Sequence, residues 1–451
     1  MLTASIQAVL TAIACALLFA GWRWFRRDRT IALLVASGLL VRAIAGQVLF
    51  WISYLHLPIA ESLQRGQGFW FYATDGFGYF RVAINAADRG VLSVFSYDRA
   101  VMSPGFTQVL AVFSLLFGAP ASMALLLNLA AYLGTCAIVV KLAGPRKRVA
   151  MLAIAAISFS PAFVLWSTQP LKDVFFVFLF AAFVGVVASW IAVWNRKDHT
   201  LPRALLITLA MLVVFGALAG IRWYYALALL VTSAPLLLVS ALRTARPLRA
   251  VVVLLCAYGA VFAGALYVAM PHLPVPVRLF IQSPDLGEAM RAPQTLASVL
   301  DGARSSYDLK GGATRIDVGT LLEGSRVARF ASGSAALLLP RPVARATGLA
   351  VMHGGRGFWW FADADTLFVD AFLIVAVVAL LRARDPGKWR NPLLWLVVLV
   401  TVAIGAMFVY CVANFGALFR YRSMLFIGVI LVPVVMAWAA SRGDDDAVQN
   451  V

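Results

Sequence analysis

Charge is scarce in this sequence. Of 451 residues only 13% are Asp, Glu, Lys or Arg, and 62% are hydrophobic. A soluble domain carries about twice that share of charge, so a cytosolic enzyme and a disordered chain are both excluded. Cysteine is rare too. Cys15, Cys136, Cys256 and Cys411 each sit inside an apolar run and read as small buried hydrophobes, which excludes a disulfide scaffold. The four histidines, His56, His199, His272 and His353, are scattered without ligand spacing, so no strong metal site is expected. A Walker phosphate loop is missing, which argues against an ATP-driven pump. Solenoid repeats, coiled-coil heptads and inverted-repeat symmetry are also missing.

What the chain does have is long apolar runs, with a mean hydropathy of +0.88. Runs of spanning length occur near 3–22, 31–55, 119–141, 149–165, 172–194, 204–221, 224–242, 250–270, 366–382, 391–412 and 423–440. The expected fold is an all-α polytopic membrane protein of about eleven spans, residues 1–451 forming one membrane-embedded domain. The first run lacks a small-residue cleavage site and is followed by Arg23, Arg26, Arg27 and Arg29, so it reads as an uncleaved span.

A net charge of +18 on a soluble chain would suggest nucleic acid; here the basic residues flank spans, and no nucleic-acid partner is expected. Nineteen Lys and Arg fall in one set of alternate connections: Arg23 to Arg29, Lys141 to Arg148, Arg196 to Arg203, Arg243 to Arg249, Arg382 to Arg390, and Arg442. That side is assigned to the cytoplasm. Two long loops then face outward, at 56–118 and 271–365. Within the first, 103–118 is apolar but short and reads as an interfacial or half-inserted helix. The second holds ten basic groups and opens on Pro271, Pro274 and Pro276. It closes on His353 to Trp360, which reads either as an interfacial anchor or as a sugar-stacking segment.

Ionisable groups near membrane depth carry the functional hypotheses. Asp75 lies among Gly76, Gly78 and aromatics, either as a general base or as a turn aspartate. Lys172 and Asp173 open a span; Asp173 could simply cap the helix, or both could line a site with Lys172 on a phosphate. Arg222 stands beside Trp223, Tyr224 and Tyr225, and its guanidinium suits bidentate phosphate binding. Arg420 and Arg422 flank Tyr421 in what reads as the last outer loop (414–422), where positive charge is disfavoured unless an anionic ligand offsets it. Arg42, inside the second span, could snorkel or pair with a carboxylate. A carboxylate-held Mg²⁺ or Mn²⁺ stays open, with no metal ligands assigned.

These residues carry a resemblance. Asp75-x3-Tyr79-x3-Ala83-x6-Gly90, followed by Ser103-Pro104-Gly105-Phe106 and Leu115-Leu116-Phe117-Gly118, resembles the first outer loop of GT-C-type glycosyltransferases. These include the dolichyl-phosphate-mannose–protein mannosyltransferases and their bacterial lipid-linked-sugar relatives. Ser160-Pro161 through Lys172-Asp173, and Asn414 through Arg422, are similar to later outer segments of such enzymes. Two features depart from the pattern. The aspartate loop follows the second span rather than the first, and Gly76 stands where many members carry a second acidic residue.

The resemblance implies an inverting transferase with Asp75 as base and a sugar on a polyprenyl phosphate as donor. The acceptor would be a glycan, lipid or protein. Tyr79, Lys172, Asp173, Arg222, Tyr224, Arg420 and Arg422 are the expected substrate contacts. The setting would be a bacterial inner membrane with the site facing the exterior, where nucleotide sugars are not supplied and an activated sugar must arrive by membrane. Two alternatives stand beside it: an envelope-polysaccharide polymerase or ligase using lipid-pyrophosphate glycans, and a lipid or sugar flippase without chemistry.

Overall fold

The computed structural model describes residues 4–95, 103–118, 121–195, 200–244, 246–269, 301–302, 304–305, 316–318, 325–353, 359–382 and 389–449. The chain is an all-α, multi-pass membrane protein. Among the described residues nine helices are long and apolar enough to cross a membrane, and a bent pair brings the number to ten. They are α1 (Ala4–Arg23), α2 (Arg29–Tyr54), α6 (Met123–Ala143), α9 (Lys172–Asn195), α10 (Leu201–Ile221), α11 (Trp223–Leu242), α15 (Trp359–Arg382), α16 (Pro392–Cys411) and α17 (Phe415–Gln449). The bent pair is α7 (Lys147–Phe159) and α8 (Pro161–Ser167), which meet at 55°.

Eleven apolar runs thus resolve differently in two places. Run 149–165 breaks at Ser160-Pro161, because proline has no N–H to continue the ladder. Run 250–270 belongs to α12 (Pro247–Ala269), whose described apolar stretch, Pro247–Val261, is shorter than a full span.

Short connections make successive long helices antiparallel neighbours. Small residues allow close approach between them. A Cβ on Gly38 of α2 would lie 2.1 Å from the Tyr132 hydroxyl of α6, and one on Gly46 would press on Leu125. The core centres on α9, whose Phe176, Phe180, Phe183, Trp190 and Trp194 are fully buried. By contrast, α1 buries no residue and sits at the periphery. At the end of the bundle where α2 begins, Asp28 caps that helix through the Thr30 and Ile31 amides and pairs with Lys147 at 2.6 Å.

The described residues of segment 56–118 fold into a two-strand ribbon, two short 3-10 turns and three α-helices. The ribbon pairs β1 (Gln64–Gly66) with β2 (Phe69–Trp70), antiparallel. Gly68, at φ +84°, lets the turn pass against the Phe50 ring, which a Cβ would approach to 2.3 Å. Then come α3 (Thr74–Asp88), α4 (Val91–Phe95) and α5 (Pro104–Phe117). Asp75 therefore lies in the first turn of a helix, not in a loop.

Segment 271–365 is described only in part. Residues 271–300 with the proline-rich start, Arg278 and Arg291 lie outside the described residues, as do Lys310, Arg315 and Gly354 to Arg356. A second ribbon, β3 (Ile316–Val318) with β4 (Ala350–Met352), is flanked by α13 (Arg326–Leu338) and α14 (Arg341–Ala346). Ile316 N donates to Ala413 O at 2.8 Å, so the ribbon docks on the connection between α16 and α17.

The structure corrects two sequence expectations. Residues 415–422, read as the last outer loop, are the first two turns of α17. Arg42, expected to snorkel or meet a carboxylate, is buried and donates to three backbone carbonyls instead.

Candidate functional site

Five charged side chains from four separate segments meet near the ends of α3, α9, α10 and α17. Asp173, in the first turn of α9, is 1% exposed and accepts two charge-assisted bonds. Its Oδ1 accepts from Arg222 Nη2 at 2.7 Å, and its Oδ2 accepts from Arg420 Nε at 2.7 Å. Arg420 continues the chain, donating Nη1 to Asp75 Oδ2 at 2.6 Å. The Asp75 side chain is 47% exposed while that of Arg420 is 9% exposed. One end of a buried ionic relay therefore opens outward and the other closes in the core.

Local backbone explains each position. Arg222 is the residue at which α10 ends and α11 begins, its backbone outside helical geometry at φ −147°, ψ 81°. Its Nη1 donates to Tyr224 Oη, and its guanidinium lies 5.1 Å from the Tyr421 ring centroid. Lys172 is the first residue of α9; its Nζ donates to Ser103 Oγ and sits 5.3 Å from the Tyr79 ring centroid. Ser103 takes left-handed geometry at φ 58°, ψ 59°, sparsely populated for a side chain of this type. Beside it, Gly105 meets Gly220 backbone to backbone: a Cβ there would lie 3.1 Å from the Gly220 main chain. That contact brings the start of α5 onto the end of α10, two residues before Arg222. Gly76, next to Asp75, lies against Pro170, just ahead of Lys172.

Several polar atoms in the cluster have no partner. Arg420 Nη2, Arg222 Nε and the Tyr79 hydroxyl are buried without a hydrogen bond. An ammonium has three donors, and one hydrogen bond is seen for Lys172. Burial pushes the Tyr79 hydroxyl pKa up, opposed by the Arg420 guanidinium, so the phenol stays protonated. A buried donor left unpaired costs roughly 1–3 kcal/mol, an arrangement that an anionic ligand would relieve.

Of the sequence-derived candidates, Asp75, Tyr79, Lys172, Asp173, Arg222, Tyr224 and Arg420 gather here. Arg422 does not. It is buried elsewhere, donating Nη1 to Thr366 Oγ1 and Nη2 to Ala336 O at 3.1 Å. Residues two apart on a helix project about 200° apart, so one of the pair had to leave the site. Ser103 and Tyr421 join the cluster without having been singled out; the only signal for Ser103 was its place ahead of Pro104-Gly105.

No group of three or more His, Cys, Asp or Glu able to hold a metal occurs among the described residues. The Arg420 guanidinium lies between the two carboxylates and bonds one oxygen of each.

No protein-family model matches the chain. No curated relative matches it either. Among solved structures it is similar to an archaeal oligosaccharyltransferase, AglB from Archaeoglobus fulgidus, in complex with an inhibitory peptide and a dolichol-phosphate. That similarity has a TM-score of 0.44 and 14% identity, and covers 95% of this chain and 52% of that one. It is also similar to ArnT from Cupriavidus metallidurans bound to undecaprenyl phosphate, with a TM-score of 0.32 and 13% identity over 89% of this chain and 77% of that one. The chain spans about half the length of the AglB chain. At these similarities neither neighbour assigns an activity to this chain.

Proposed function

We propose that the chain is a glycosyltransferase that moves a sugar from a polyprenyl-phosphate carrier to a hydroxyl acceptor at the outer face of the membrane. The observation that carries this reading is the Asp75–Arg420–Asp173–Arg222 relay with Lys172 beside it. Two guanidinium groups balance the two carboxylates and Lys172 adds a third basic group beside them, together with buried donors that have no partner. A phosphodiester would bring an anion to those donors.

In this reaction the acceptor oxygen attacks the anomeric carbon from the side opposite the phosphate. The bond between that carbon and the phosphate oxygen breaks, and the electron pair stays on the phosphate. The acceptor proton passes to Asp75, whose exposed position suits an incoming hydroxyl. The configuration at the anomeric carbon inverts. The leaving phosphate gains negative charge as the bond breaks, so Arg420, Arg222 and Lys172 stabilise the transition state more than the ground state. Asp173 holds the two guanidinium groups in place and takes no proton. No divalent cation is used in this scheme. Arg203, Arg243 and Arg442 lie toward the ends of α10, α11 and α17 away from the relay, which supports the sidedness that the charge rule gives to a site facing out. The proposed setting is a bacterial inner membrane.

The test offers the purified full chain, in lipid nanodiscs, one labelled sugar on undecaprenyl monophosphate and the same sugar on undecaprenyl pyrophosphate. Release of undecaprenyl phosphate from the first donor, with label on an acceptor alcohol, is expected. Turnover of the pyrophosphate donor alone would replace this reading with the polymerase alternative. Movement of intact lipid across a vesicle without chemistry would replace it with a flippase.

A further inference from the structure

The break between α7 and α8 is held from both sides by buried opposite charges. In an unbroken helix the N–H groups of residues 161 and 162 would donate to the carbonyls of residues 157 and 158. Pro161 has no N–H, and the Ala162 amide donates to Asp365 Oδ1 of α15 at 2.9 Å. Ser160 Oγ donates to the same carboxylate oxygen at 3.2 Å. The two orphaned carbonyls find one cation. Arg42 of α2 donates Nη2 to Ile157 O at 2.6 Å and Nη1 to Ser158 O at 2.9 Å. Its guanidinium lies 4.3 Å from the Tyr132 ring centroid, and Tyr132 Oη in turn meets Ser158 Oγ at 2.7 Å. Arg42 and Asp365 are 1% and 0% exposed, and no ion pair joins them.

What the break positions is the start of α9. Asn128 Nδ2 holds the far end of α8, donating to Ser167 O at 2.8 Å and Gln169 O at 3.1 Å. Lys172 and Asp173 follow directly. On its flanks α8 places Trp166 against Phe419, one residue from Arg420, and against Tyr72, three residues from Asp75. About two turns of helix thus touch the surroundings of four of the five charged groups.

We propose that Arg42 and Asp365 are positioning residues for the transfer site, clamping the α7–α8 break so that α9 delivers Lys172 and Asp173 to Arg420 and Arg222. Neither touches the relay; each acts through α8. Their effect on substrate rests on the glycosyltransferase reading, while their effect on geometry does not.

The experiment uses the full chain in nanodiscs, with undecaprenyl phosphate as the binding probe and apparent Tm as a readout independent of function. Asp365→Leu removes the acceptor for Ala162 and Ser160, whereas Asp365→Asn keeps an oxygen there. Weaker probe binding by about tenfold in Asp365→Leu, largely restored in Asp365→Asn, is expected. Combined with Asp173→Asn, Asp365→Leu should add little further loss of binding, and the two Tm shifts should fall short of their sum, because both disturb one arrangement. Asp28→Asn at the other end of α2, combined with Asp365→Leu, should give additive shifts. Wild-type binding in Asp365→Leu, or additive shifts with Asp173→Asn, overturns the proposal. If the wild type fails to bind the probe, the functional reading falls and the Tm cycle alone decides the positioning claim. If Asp365→Leu does not fold, Arg42→Lys enters the same cycle, since a single ammonium cannot reproduce the fork across two carbonyls.

Discussion

Arg420 reaches back across 345 residues to place its Nη1 2.6 Å from Asp75 Oδ2, while its Nε holds Asp173. One guanidinium therefore serves a carboxylate that faces outward and another that water does not reach. The two should respond differently to the same isosteric change.

Asp75→Asn should lower the rate of sugar transfer by at least about 100-fold, the scale of a lost general base, with donor binding nearly unchanged. Because Asp75 is half exposed, the change should cost the fold less than about 1 kcal/mol. Full transfer activity in this variant would remove Asp75 from the chemistry.

Asp173→Leu should destabilise the protein by about 3–5 kcal/mol, since Arg222 would be left as an uncompensated buried cation and Arg420 would keep Asp75 alone. Loss of soluble, monodisperse protein, or a large fall in apparent Tm, is the measurement. A silent Asp173→Leu would mean that water reaches the relay.

Arg420→Met and Arg422→Met, separated by a single residue, should part company. The first should abolish undecaprenyl-phosphate binding. The second should leave binding within about threefold while lowering Tm, because Arg422 bonds to Thr366 and Ala336 of the packed bundle. Equal loss of binding in both would contradict the helical phase of α17.

Acid should loosen the docking of the late segment. Asp301 accepts from Tyr410 Oη at 2.6 Å and pairs with Arg326 and Arg329, and these partners, Tyr410 foremost, hold its carboxyl below the usual range. A lowered folded pKa stabilises above the unfolded value near 3.9 and is lost as pH falls through the folded value. Hydrogen exchange of residues 325–338 should therefore rise as pH drops below about 4, and Asp301→Asn should flatten that rise. Identical profiles would exclude the carboxylate as the latch.

Much of the membrane layout was legible because an apolar run of spanning length has few other homes. Lys172 and Asp173 at the head of α9, and Arg222 at the α10–α11 break, could be placed because charge interrupts such runs. The phase of Arg420 and Arg422 was not legible while 414–422 read as a loop, because a loop has no periodicity to separate two neighbours. Asp365 fell just before a span drawn from 366, and Arg42 seemed to want a carboxylate. Its true partners are main-chain carbonyls, two of them freed at the Ser160-Pro161 break, and backbone acceptors leave no mark in a sequence. Which helices touch decides such pairs, and that is a property of the packed bundle.

The meeting of Gly105 with Gly220 has a consequence for how this protein can vary. Where two main chains touch without side chains, no neighbouring residue can repack to absorb an added methyl group. In a saturation library Gly105, where a Cβ would press to 3.1 Å on the Gly220 main chain, should tolerate replacement less well than Gly220, where a Cβ would meet Gly105 at 3.4 Å. The junction that seats α5 against Arg222 would then be least variable on its α5 side.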